Sequence, residues 1–264
     1  MWADWLRDYI PRTMTEHREA VTFSHLDGEE ESIVRRTGDP HSRRIRCVCE
    51  TCNNGWMSRL QTAAKPFLIP MLTDKKIQLH RRAQTVLSAW TAMMTMVAEH
   101  SHGEMIAVPQ ADRDHLHASQ TAPSHWRIWI ARHSRQEHPL FTHRVMTFAT
   151  KEEFERLGGP TVRLPSNTQT STICLGKQIL IHAMSSDVAW DIIRRWKLPP
   201  RISAGFDQIW PIRVGAVGWP NGHILTDAGI ALVADEFANK ASKLLRSKYG
   251  SLSSPQTDRG LIFP

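Results

Sequence analysis

Cys49-Glu50-Thr51-Cys52-Asn53-Asn54-Gly55-Trp56-Met57-Ser58 is the stretch on which the reading of this chain turns, with Cys47 just ahead of it. Two thiols spaced C-x-x-C come to one side of a tight turn and can grip a single zinc ion from one short piece of chain. Zinc takes four ligands, so Cys49 and Cys52 make half a site. If the approach to them is extended, Cys47 lies on the same face as Cys49, because strand side chains alternate with a period of two. Cys47 is then a third candidate ligand, with His41 or His25 as a fourth. The competing reading is a pair of ordinary buried thiols. Asn53, next in the chain, can cap the helix that follows.

Working outward, basic residues crowd the approach to the cysteines. Arg35, Arg36, Arg43, Arg44 and Arg46 stand there against Asp39, and Arg59 follows on the far side. Beside a candidate metal site these arginines read as contacts to phosphate. Lys75, Lys76, Arg81 and Arg82 form a second basic group. A third, Lys240, Lys243, Arg246 and Lys248, reads as a solvated face.

The element pattern is mixed. Trp2–Ile10 has one apolar stripe at helical spacing, ended by Pro11. Val21–His25 and Ser32–Arg36 are β-rich and flank the acidic turn Asp27-Gly28-Glu29-Glu30, which predicts a hairpin. Arg44–Val48 predicts a third strand that delivers the cysteines. A helix is predicted from Asn53 or Asn54 to Lys65, interrupted by Pro66 and Pro70. Ala83–His100 is the strongest helical pattern, and its near absence of charge predicts burial. Helices are further predicted over Pro109–Ser119, Lys151–Leu157, Asp187–Trp196 and Leu225–Lys248, the last with Ile230, Leu232, Val233 and Phe237 facing inward. Strands are predicted over Trp126–Arg132 and Arg144–Phe148, with a hairpin over Ser171–Ala183 turning at Gly176-Lys177. Gly205–Gly218 reads as a loop. The fold class is therefore α+β. Residues 1–66 form a small ββα-metal or zinc-knuckle module, residues 67–250 a mixed α+β body, and residues 251–264 a loose tail.

The cysteine motif, continued through Arg59-Leu60 and joined to Trp5-Leu6 upstream, resembles a group of bacterial HNH-type (ββα-metal) endonuclease-like proteins. Their pattern opens with a C-x-x-C knuckle. It continues with Glu-His, an aliphatic residue, an aromatic residue, Pro, any residue and Trp-Leu, and later gives C-x-x-C-N-N-G-W-M-S. Trp2-Ala3-Asp4-Trp5-Leu6 matches aromatic-Pro-x-Trp-Leu with Ala3 in place of Pro, and Met1 falls at the aliphatic position. Weaker similarity continues through the Trp90 helix, the Trp126–Ile130 strand and Ile209-Trp210-Pro211. The resemblance implies hydrolysis of DNA phosphodiesters with Mg²⁺ or another divalent ion. It also implies a structural zinc, of which this chain holds a partial site, and Asn53 as a metal ligand. It places the general-base histidine immediately before Met1 and the first C-x-x-C further upstream. The expectation is a chain that begins inside the motif, from a late start codon or a natural shortening, and that is inactive or impaired as given. No catalytic residue is assigned within it. The role of the family's central Asn falls near Arg44 and stays open. The alternative is a non-catalytic nucleic-acid-binding or interaction protein.

Composition narrows the classes. The 264 residues are 41% hydrophobic and 22% charged, enough apolar material for a substantial core. The net charge of +7 is compatible with DNA as partner. Four clustered or isolated cysteines do not make a disulfide framework and point to reduced thiols in the cytoplasm. No signal peptide or membrane-spanning run is evident; Val86–Ala98 is too short and too often broken by Ser and Thr. His100/His102, His115/His117 and His133/His138 lack a metal framework and read as surface. Cys174, in an apolar strand, reads as inert, although a Cys–His hydrolase built on Cys174 and His182 is conceivable. Asp187 and Asp191 read as a solvated helix face.

Overall fold

The computed structural model describes residues 4–10, 17–25, 28–36, 45–101, 106–135, 140–156, 165–188, 196–198, 203–234 and 261–263. A 3-10 turn (Asp4–Asp8) leads to strands β1 (His17–His25) and β2 (Gly28–Arg36). Next come a one-turn helix α1 (Glu50–Cys52), a widened π turn (Asn53–Met57) and α2 (Ser58–Leu72). Then follow β3 (Ile77–His80), α3 (Arg81–Ala98), α4 (Gln110–Ser119), β4 (Arg127–His133), β5 (Leu140–Met146), β6 (Phe148–Thr150) and α5 (Lys151–Arg156). The hairpin β7 (Thr168–Leu175) and β8 (Ile179–Ser186) precedes β9 (Phe206–Trp210), β10 (Ala216–Trp219), β11 (Ile224–Leu225) and β12 (Leu261–Phe263). Residues 227–234 are helical. This is the mixed α+β class that the sequence pattern implies.

One sheet carries the architecture, in the order β11-β4-β8-β7-β5-β1-β2, with β9 also paired to β4. Its centre is antiparallel, from β4 through β8 and β7 to β5. β1 joins it parallel to β5, with Val21 opposite His143 and Phe23 opposite Val145, and β2 then pairs antiparallel with β1. Gly176 turns β7 into β8 at φ +57, where a Cβ would stand 3.2 Å from Leu72 Cδ2. Conformation and space both favour glycine there.

β7 and β8 are buried along almost their whole length because both faces of the sheet are covered. On one face Ile128, Ile130, Ile173, Ile179, Ile181 and Ala183 pack in the main core with α2 and α3. On the other, Ala131, Cys174 and Leu180 pack with Ile230 from the helical 227–234 segment. α3 lies between α2 and the sheet, which is why even its Gln84, Ser88, Thr91 and Thr95 are buried. Thr91 answers its own burial by donating to the Leu87 carbonyl at 2.8 Å.

α2 runs through residue 66, and Leu6, Ile10, Met57 and Leu60 share one core with Leu68, Trp90 and Ile181. A polar hub ties these parts together. Gln61 Oε1 accepts from Trp90 Nε1 at 2.8 Å and from Trp5 Nε1 at 3.4 Å.

Several expectations are corrected. Residues 45–48 form no strand, so the cysteines arrive on irregular chain. The helix after them begins at Glu50, capped by Cys49 rather than by Asn53 or Asn54. It does not stop at Lys65, since Pro66 and Pro70 both lie inside α2. Leu60, Ala64, Leu68 and Met71 recur at helical spacing and are buried. Their burial outweighs the ~3 kcal/mol that an interior proline costs a helix. The segment read as a loop over Gly205–Gly218 contains β9 and β10. The Trp210-Pro211 bond within it and the Trp219-Pro220 bond just after it are cis and lie at strand ends. Leu261–Phe263, within the tail read as loose, pairs parallel with β6. Of the helix expected over Asp187–Trp196, residues 189–195 lie outside the described residues, as does the part of the last helix beyond residue 234; that last helix begins at residue 227 rather than at Leu225, which ends β11. Among the described residues no helix is long and apolar enough to cross a membrane.

Candidate functional site

The C-x-x-C turn is built by helix capping. Cys49 has extended backbone angles, φ −70 and ψ 156, and its Sγ accepts the backbone N–H of Cys52 at 3.4 Å. Its carbonyl takes the N–H of Asn53 at 3.0 Å. The Cys49 thiol is exposed and is held below the ordinary thiol range, chiefly by the Cys52 backbone N–H and then by the Cys52 side chain. Both donors favour the thiolate, the form that binds metal. Cys52 is half-buried against the main core. The two thiols therefore meet at a helix start, one exposed and one half-buried.

The turn then widens at Gly55 (φ −90, ψ −111) before α2 begins. Asn53 and Asn54 are exposed there, and Asn53 Nδ2 donates to Asn54 Oδ1 at 3.3 Å. Asn53 thus carries its amide oxygen on the exposed side of the turn, next to Cys52. Trp56 is half-buried, packs on the core and meets the His117 ring at 5.7 Å. Trp90 is fully buried.

Cys47 goes elsewhere. It is half-buried, and burial pushes its thiol up against the pull of Arg113. Its electrostatic partners are Arg113 and Glu99 of the body. His41 lies outside the described residues, and His25 is described only as backbone in β1. Among the described residues no three His, Cys, Asp or Glu side chains gather as a metal site.

Of the arginines read as phosphate contacts, Arg46 and Arg59 are exposed on either side of the cysteine turn. Arg35 and Arg36 end β2, opposite Arg18 and His17 of β1. Glu29, Glu30 and Glu31 sit at the other end of the same ladder, so the hairpin is basic at one end and acidic at the other. Arg43 and Arg44 lie outside the described residues.

A second polar constellation escaped the sequence reading. Glu99, just past α3, has its carboxylate fully buried and paired with Arg113 of α4. It also accepts the N–H groups of Ala107 at 3.0 Å and Val108 at 3.2 Å. Burial pushes its pKa up to about 7 in spite of these donors. His143 Nε2 approaches it at 3.9 Å, and His143 Nδ1 meets Ser171 Oγ at 2.8 Å. Ser171 donates to Gln169 Oε1 at 2.8 Å, and Gln169 Nε2 donates to Ser185 Oγ at 3.2 Å. The order of Ser171, His143 and Glu99 looks like a hydrolytic relay. All three are at least 95% buried, however, so the array can transfer or hold protons but offers no open face to a substrate. A faint signal existed in the run Thr168-Gln169-Thr170-Ser171-Thr172, too polar for an ordinary core strand.

The Cys174–His182 pair is not assembled. Burial pushes the Cys174 thiol up to about 12, and His182, pushed down to about 4 by burial, bonds Thr172 Oγ1 at 3.0 Å instead. His133 is likewise buried rather than on the surface.

No family model, curated protein or solved structure shows a significant match to this chain.

Proposed function

We propose that this chain belongs to an HNH-type, metal-dependent DNA endonuclease system, with Cys49 and Cys52 as part of a structural zinc site and Asn53 beside the catalytic ion. One observation carries the reading. An antiparallel hairpin, β1–β2, is followed by a C-x-x-C turn whose exposed, acidified Cys49 caps the start of a helix. That is a ββα order along the chain, with the two thiols at the start of the helix.

The donor set fits half of a tetrahedral zinc site, two sulfurs out of four ligands. When bound, zinc would stiffen the turn, and a divalent ion near Asn53 would stabilise charge developing on phosphate. The chain's own residues supply the rest. The Cys52 N–H favours the anionic form of the Cys49 sulfur. Asn53 is exposed on the turn, two residues before Gly55. Arg46 and Arg59 flank it and attract the phosphate backbone.

The flanking arginines and the polarised hairpin also favour a second reading, DNA binding without cleavage. A plasmid-nicking assay separates the two. The chain, and a form extended by the in-frame codons upstream of Met1, are each incubated with supercoiled DNA and Mg²⁺ or Mn²⁺. Cleavage that is abolished by EDTA and weakened by Asn53→Ala supports the nuclease. Salt-dependent retention of duplex by both forms, without cleavage by either, supports the binding module. Absence of any duplex binding at low salt overturns both.

A further inference from the structure

The basic group at Lys75, Lys76, Arg81 and Arg82 lies far along the chain from the cysteine turn, yet the fold brings the two into one line. Between Thr51 and Ala98 the sequence has a single acidic residue, Asp74, against six lysines and arginines. Asp74 is already engaged, since Arg132 Nη2 reaches its two carboxylate oxygens at 3.0 and 3.1 Å. Arg59, Thr62, Ala63 and Pro66 form the exposed stripe of α2, and Thr73, Lys75 and Lys76 are exposed just past its end. α3 returns antiparallel beside α2, because Gln61 meets Trp90 and Met94 while β3 joins the other ends of the two helices. Lys75 and Lys76, exposed just before β3, and Arg81 and Arg82, exposed just after it at the start of α3, therefore bracket this strand at the far ends of the two helices. At 1.5 Å per residue, the helix between Arg59 and Thr73 sets the two basic ends roughly 20 Å apart.

We infer that this exposed edge is a duplex-DNA docking strip, with Arg59 contacting the backbone near the cysteine turn and the Lys75/Lys76/Arg81/Arg82 cluster gripping it about 20 Å away. The inference rests on the DNA reading proposed above and adds where the duplex runs. A single small anion does not explain two basic ends separated by a neutral stripe, whereas a phosphate backbone offers a charge every few ångströms along such a line. The surface between the ends is polar or small, with Thr62 and Ala63, so a rigid duplex can lie along it. Lys65 is not counted in the strip, because its ammonium sits 5.8 Å over the Trp5 ring.

The test is salt-dependent binding of a 20-base-pair duplex by the full chain, the Lys75→Gln/Lys76→Gln/Arg81→Gln/Arg82→Gln variant and the Arg46→Gln/Arg59→Gln variant. Equal melting temperatures establish that the folds are intact. For every phosphate that a variant no longer neutralises, the slope of log K against log salt should fall by about 0.9. The quadruple variant is expected to lose about 2–4 from that slope, with at least a tenfold loss of affinity near 0.1 M salt. Should it misfold, Lys76→Glu and Arg82→Glu, taken singly, should each weaken binding. An unchanged slope in the quadruple variant, with binding lost in Arg46→Gln/Arg59→Gln, overturns the strip and leaves the DNA reading standing. No duplex binding by the unaltered chain overturns both. Binding to phosphatidylserine vesicles that depends on the four residues, with duplex binding independent of them, also overturns the strip.

Discussion

Replacing Gln61 by Met should expose how the N-terminal turn and the helical layer depend on each other. The two side chains are similar in length, but Met offers almost no acceptor. In the native fold Gln61 Oε1 receives the Trp90 indole N–H at 2.8 Å, and Trp90 is fully buried. Leaving that donor without a partner costs about 1–3 kcal/mol. The longer 3.4 Å bond from Trp5 adds roughly 0.5 kcal/mol, at the low end for a hydrogen bond. The Gln61 Nε2 contact to Met94 Sδ, at 3.7 Å, adds little. The expected loss is about 2–3 kcal/mol. For a chain of this size that lowers Tm by about 4–12 °C. Urea unfolding, followed by tryptophan fluorescence and by far-ultraviolet circular dichroism, measures it. Trp90→Phe removes the orphaned donor, so the double variant Gln61→Met/Trp90→Phe should cost at least ~1 kcal/mol less than the sum of the singles. A loss under about 0.5 kcal/mol for Gln61→Met, or strict additivity in the cycle, would refute the hub.

Two further outcomes follow from ionisable groups. Glu99 titrates near 7 in the folded chain and near 4.5 unfolded, so the native state binds the extra proton between those values. Stability from this group is complete below about pH 4.5 and is lost as pH rises through 7, by at most ~3 kcal/mol. Glu99→Gln should flatten the fall of the urea midpoint between pH 5 and 8; a wild-type midpoint that rises over this range would contradict the assignment. Iodoacetamide at pH 7.5 should modify Cys49 first and Cys174 last, because one thiol is exposed and acidified and the other is buried with its pKa near 12. Peptide mass mapping reads the order, and labelling of Cys174 as fast as Cys49 in folded protein would sink it.

What the sequence disclosed was local. The α3 pattern is visible because Leu87, Trp90 and Met94 repeat at helical spacing, and the β7–β8 hairpin because Gly176 divides two β-rich runs. The cysteine turn was legible in its spacing. Its cap was not, because a Cys N-cap has no compositional mark. Prolines misled in both directions. Pro66 and Pro70 resemble helix stops but are tolerated by a buried face, and Pro211 and Pro220 suggested loop although each follows the last residue of a strand. The Glu99–His143–Ser171 array was out of reach, since it joins residues from separate elements whose meeting depends on tertiary packing. The basic strip was seen only as separate clusters for the same reason.

The parallel seam between β1 and β5 has a consequence for synthesis. Val21 finds its neighbour His143 only after roughly 120 further residues have been translated. At about 5–20 residues per second, the hairpin ahead of the cysteines must wait on the order of ten seconds for its seat. Over that interval its outer rung is an open edge that a nascent chain alongside could capture. The acidic run Glu29-Glu30-Glu31, one strand over on β2, would repel a copy of the hairpin that paired in parallel and in register, a safeguard that acts before the fold exists.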